Sequence, residues 1–99
     1  MEITKTITDN TANIALTGRL DTLTSSDLET ELETVLDNVQ FIVFDFKDLD
    51  YISSAGLRVL LTAQKALAKK GGHVTIANCS PDVKEVFTIT GFADILEIL

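Results

Sequence analysis

The run Phe41-Ile42-Val43-Phe44 constrains this chain more than any other feature, because four consecutive apolar residues leave a strand no face to give to water. A run of that kind reads as the central strand of a sheet and requires covering elements before and after it. Both neighbours have the pattern. Upstream, Leu28, Leu32, Val35, Leu36 and Val39 mark one face of a helix predicted over 25–37. Thr24 is placed to cap it, with Asp27 three residues on in an imperfect capping box. Downstream, Ser53 or Ser54 opens a second helix that runs through Lys70 and ends at Gly71-Gly72. Its Leu57, Leu60, Leu61, Ala63 and Leu67 face inward, and Arg58, Thr62, Lys65 and Lys69 form the outer stripe.

The remaining segments complete the order. Ala12, Ile14 and Leu16 alternate with Asn13, Ala15 and Thr17 in the period of a half-buried strand, and Ile3 to Ile7 reads as its partner across an Asp9-Asn10 turn. A strand from His73 to Ala77 precedes Ser80-Pro81, which supplies a cap and a first-turn proline for a third helix stopping near Gly91. Ile95 to Leu99 is a final short strand. The order β-β-α-β-α-β-α-β predicts an α/β fold, a mixed and mostly parallel sheet of about five strands layered with three or more helices. With 99 residues there is room for one core, so residues 1–99 are read as a single domain.

Charge narrows the partners. Eight Lys plus Arg against 15 Asp plus Glu leave a net charge of −7, which repels a nucleic-acid backbone and an anionic membrane surface. No apolar stretch is long enough for a membrane span and the polar N-terminus has no signal-peptide core, so a cytoplasmic location is expected. The one cysteine, Cys79, and the one histidine, His73, are too few for a structural zinc site. Asp45, Asp48, Asp50 and Asp21 bring an Mg²⁺ pocket into consideration, but their spacing matches no calcium loop and reads as a solvated acidic edge. No metal or cofactor is implied. A serine hydrolase would need a base near its hydroxyl, and His73 begins a strand beyond Gly71-Gly72, so no enzyme activity is expected. Asp27, Glu29, Glu31 and Glu33 crowd the first helix as like-charge neighbours, either a solvated face or one that steers a basic partner.

The segment Asp48 to Leu57 reads as a loop leading from the central strand into the second helix, the end of an open α/β sheet where functional groups collect. One of its two serines is expected to cap the helix. The other reading of the pair is phosphorylation, because a phosphate there meets free backbone N–H groups and the positive end of the helix dipole.

Three stretches resemble one family. Leu16-Thr17-Gly18-Arg19-Leu20-Asp21, Asp50-Tyr51-Ile52-Ser53-Ser54-Ala55-Gly56-Leu57 and Ser80-Pro81-Asp82-Val83-Lys84-Glu85-Val86-Phe87 with Gly91 are similar, in order and spacing, to the single-domain anti-sigma factor antagonists of the STAS fold. The resemblance implies a non-catalytic binding module. Unphosphorylated, it would bind an anti-sigma factor of the GHKL serine-kinase type and so release a sigma factor; the kinase would end the complex by phosphorylation and a metal-dependent serine phosphatase would reset it. The family acceptor falls on Ser54, with Ser53 as the alternative. The implied partner-binding residues are Asp21, Ser53, Ser54, Ala55, Gly56, Leu57 and Arg58. Two positions depart from the family pattern: Ser53 stands in place of an aspartate and Ala55 in place of a second hydroxyl residue. Arg58 stands where many relatives have glycine. The alternative function that the resemblance allows is an accessory STAS subunit of a transport or lipid-trafficking complex.

Overall fold

The computed structural model describes residues 1–99. Its elements are β1 (Glu2–Thr8), β2 (Thr11–Leu20), α1 (Thr24–Glu33), β3 (Phe41–Ile52), α2 (Ser54–Ala68), β4 (His73–Ala77), α3 (Pro81–Thr90), a 3₁₀ turn at Phe92–Asp94 and β5 (Glu97–Ile98). They follow the order read from the sequence. One five-stranded sheet holds the strands in the order β1-β2-β3-β4-β5, with β1 antiparallel to β2 and every other pair parallel.

That strand order decides where the helices go. Each crossover steps to the next strand in the same direction, so right-handed connections place every helix on one face of the sheet. Burial follows: Ala12, Ile14 and Leu16 of β2, Ile42, Phe44 and Phe46 of β3, and Val74 and Ile76 of β4 form one core with Leu28, Leu32, Leu57, Leu60, Leu67, Val83 and Phe87 of the helices. Phe44, Phe46 and Phe87 interlock, with the last two stacked at 6.4 Å. The opposite face carries no layer. There Phe41 and Val43 are only half-buried, among Asn13, Ala15, His73 and Ala77. The central strand is therefore covered on one face, not two, because its neighbours' outward positions are small or polar and need no cover.

The second helix stops at Ala68, two residues short of the reading, and the last strand is Glu97–Ile98 instead of Ile95 to Leu99, but two other boundaries differ most. α1 ends at Glu33, and Val35, Leu36 and Val39 continue on tightened turns, with the Val35 amide bonded to the Leu32 carbonyl at 3.0 Å. The Lys70 ammonium donates to the carbonyls of Leu36 and Val39, satisfying acceptors that the finished helix leaves over. β3 also runs eight residues past Phe44, so Asp48, Asp50 and Tyr51 belong to a strand and not to a loop. The extension pairs with β2 through Thr17↔Asp48 and Gly18↔Leu49 after one register shift and through Arg19↔Tyr51 after a second, which leaves Asp50 unpaired.

Candidate functional site

β2 and β3 end side by side, joined by the Ser53 amide bonded to the Leu20 carbonyl at 2.9 Å. α1 and α2 therefore begin at the same edge of the sheet, where parallel strands present their C-terminal ends. Asp21 follows β2 and Ser53-Ser54 follows β3, so the structure brings together the two places that the sequence singled out separately.

The two serines have different environments. Ser53 is half-buried and extended, and its hydroxyl oxygen accepts the Gly56 amide at 3.2 Å, which makes it the N-cap of α2. Ser54 is the first helical residue, exposed, and its hydroxyl makes no hydrogen bond. One serine is committed to the fold and the other is free. A helix leaves its first N–H groups without intrahelical partners, so Ser54 projects from a locally electropositive terminus. Arg58, also exposed, lies one turn further along the same helix.

Ala55 is half-buried, while Gly56 and Leu57 are turned inward, Leu57 being 6 % exposed. A Cβ on Gly56 would stand 2.8 Å from Leu20 Cγ and 3.0 Å from Ile52 Cγ1, so only glycine lets the first turn of α2 lie against the ends of β2 and β3. These two residues set the height of Ser54 above the sheet without presenting side chains to solvent.

Asp21 closes the turn that leads into α1, whose flanking residue is Leu23. Its Oδ1 accepts the amides of Leu23 and Thr24 at 3.1 and 3.0 Å, and the Thr24 hydroxyl oxygen accepts the Asp21 amide at 2.8 Å. Reciprocal bonding in the manner of a capping box thus joins 21 and 24 in this entry turn instead of the expected 24 and 27, and the Asp21 carbonyl accepts the Ser25 amide at 2.9 Å. The Thr24 amide, helped by its hydroxyl, the Leu23 amide and the Arg19 charge, holds the Asp21 carboxyl below the usual range against a smaller cost of desolvation. A carboxylate so depressed stabilises the fold above its unfolded pKa, near 3.9, and that contribution disappears as pH falls through the folded value. Asp21→Ala is expected to lower the melting temperature at pH 7, whereas Asp21→Asn, which still accepts N–H bonds, keeps it but flattens the acid limb of a melting-temperature against pH series.

Three surface features at this edge escaped the sequence reading. Arg19 lies over the Tyr51 ring, 4.1 Å from its centroid, and Tyr51 is 40 % exposed. Leu23, 84 % exposed, stands immediately before α1. A shallow cleft joins Asp50, Tyr51 and Ile52 to Asp82, Val83 and Val86 of α3. Arg19 and the cleft residues lie within the three stretches that the sequence singled out, but which of them meet depends on strand register. Asp45 sits apart: its carboxylate accepts the Lys47 amide and the Asn78 side-chain amide, which keep its pKa low. No three His, Cys, Asp or Glu side chains converge to hold a metal, and no helix is long and apolar enough to cross a membrane. Cys79 is half-buried, and burial pushes its thiol pKa up against the Lys84 charge.

The sequence profile of the STAS domain matches residues 2–99. The chain belongs to the STAS domain family. It is 36 % identical over 99 residues to a Bordetella bronchiseptica protein named "Putative anti-sigma factor antagonist BtrV", covering 99 % of this chain and 85 % of that protein. To the anti-sigma-B factor antagonist of Bacillus subtilis it is 28 % identical over 90 residues, 91 % of this chain and 83 % of that one. Among solved structures, the unphosphorylated anti-sigma factor antagonist SpoIIAA superposes with a TM-score of 0.87 at 23 % identity, covering 99 % of this chain and 88 % of that chain. The phosphorylated Bacillus SpoIIAA superposes at 0.79, also at 23 % identity, covering 99 % of this chain and 91 % of that chain. At that identity the two structures bear on the fold, which this STAS domain shares.

Proposed function

We propose that this STAS domain is an anti-sigma factor antagonist whose binding is switched off by phosphorylation of Ser54. The observation that carries the reading is the division of labour between the serines: Ser53 is held in the cap, while Ser54 is exposed with its hydroxyl unengaged. The names of the Bordetella and Bacillus relatives support the partner class. In this reading the partner is an anti-sigma factor that is also a serine kinase of the GHKL type, a metal-dependent serine phosphatase restores the hydroxyl, and all three act in the cytoplasm. The domain itself is a binding module. Asp21, Ser54, Ala55 and Arg58 meet the partner. Ser53 holds the loop, and Gly56 and Leu57 act from below.

A kinase must close around the acceptor hydroxyl, and only Ser54 offers one without breaking a helix cap. Incubation with the cognate kinase and ATP is expected to add one phosphate, mapped to Ser54 by mass spectrometry, and Ser54→Ala abolishes it. Phosphate on Ser53 alone, or on neither serine, overturns the assignment.

A further inference from the structure

The crowded acidic face of α1 is only partly explained by the fold. Glu31 meets Lys5 of β1 at 3.2 Å, but Glu29 and Glu33 are exposed and neither forms an ion pair. As like charges four residues apart they repel. They stand on the rim of a groove between α1 and α2 of about 320 Å³, walled by Leu32, Leu36, Val59 and Ala63. Positions 29, 32, 33 and 36 follow the spacing of one helical face, and the Leu36 amide still bonds the Leu32 carbonyl at 2.9 Å, so that face continues past the end of α1.

We propose that this groove docks a basic amphipathic helix of a protein partner. Leu32, Val59 and Ala63 are already buried beneath the groove and Leu36 is its half-buried apolar side chain, so an incoming helix with side chains spaced by three and four residues meets a short apolar line between α1 and α2. The carboxylates of Glu29 and Glu33, separated by about 6 Å of helical rise, match cations four residues apart on the incoming helix. The complementarity also rejects an anionic lipid surface. The groove starts about 7.5 Å of helical rise beyond Ser54, at Val59, so one partner can engage both places, yet docking here does not depend on the state of Ser54.

The test uses the whole domain, isotope-labelled for NMR, titrated with a peptide of two Leu-Lys-Lys-Leu-Leu-Lys-Leu repeats and with its counterpart carrying Glu for every Lys. The lysine peptide is expected to shift the amides of Glu29, Glu33, Leu36, Val59 and Thr62, and the glutamate peptide to leave them in place. Glu29→Gln with Glu33→Gln should weaken the lysine peptide by about tenfold without lowering the melting temperature, because the repulsion is removed as well. Ser54→Asp should leave this affinity within about twofold, which separates failure here from failure of the phosphorylation reading. Equal binding of both peptides overturns the proposal. So do shifts centred on Asp9, Asp48 and Asp50 instead of the groove, or concentration-dependent self-association through α1 and α2, which would make a second copy the occupant.

Discussion

Ser54→Asp is expected to bind the anti-sigma factor at least about tenfold more weakly than Ser54→Ala, a difference of roughly 1.4 kcal/mol, while its melting temperature stays the same or rises. The opposite signs come from the same position. In the free domain a carboxylate at the first residue of α2 faces unpaired amides and the positive end of the helix dipole, which favours it by about 0.3–1 kcal/mol. Under a partner the same charge must shed its water, and the desolvation of an unmatched anion costs several kcal/mol. No conformational change is required for release. A phosphate carries about −1.5 to −2 charges against −1 for aspartate, so true phosphorylation should act more strongly still. Isothermal titration with thermal melts of both variants separates the two effects. Amide shifts confined to the start of α2 fit exclusion, whereas shifts spreading over the sheet and α3 would mean that the fold itself switches. Equal affinities for the two variants would remove the electrostatic account.

Gly72→Ala should be the most damaging single methyl addition in the chain. A Cβ at Gly72 would lie 1.7 Å from the Gln40 carbonyl oxygen and 2.7 Å from its carbon. Both are backbone atoms, at the point where β3 and β4 begin and Phe41 pairs with His73. No rotamer relieves the clash, so the two strand starts must separate, and with them the edge-on contact of the Phe41 and His73 rings at 5.2 Å. Overpacking of that kind costs about 3 kcal/mol, a large part of the roughly 5–15 kcal/mol that holds a small domain together. For a domain of this size the melting temperature should fall by about 15 °C. Gly71→Ala is the control: there φ is +78° and a Cβ would approach only the Gln40 side-chain amide, at 3.5 Å. Its cost is the left-handed backbone alone, about 1 kcal/mol. Equal losses for the two variants would mean that the β3–β4 start tolerates being opened.

The periodicities of the chain were sufficient for the element order and types, because each element here is built from its own local pattern. Val35, Leu36 and Val39 show the limit of that rule. Their spacing is helical, yet they sit on turns closed by Lys70, a residue more than thirty positions away. Asp48, Asp50 and Tyr51 show it again. No alternation marks them as a strand until the bulges against β2 reset the register. The site was legible as a motif but not as chemistry: the sequence offers two adjacent serines, and only the geometry makes Ser53 a cap and leaves Ser54 free.

By itself, the sequence determined that this chain is one acidic α/β domain with a central apolar strand and hydroxyls opening its second helix, because strand, helix and cap propensities act over a few residues. Tertiary structure decided what depends on distant pairs. The strand order placed every helix on one face, the shared ends of β2 and β3 brought Asp21 beside the Ser53-Ser54 turn, and the packing of α1 along α2 gave Glu29 and Glu33 an apolar groove to border. Those are properties of register and crossover direction, which no local window of residues encodes.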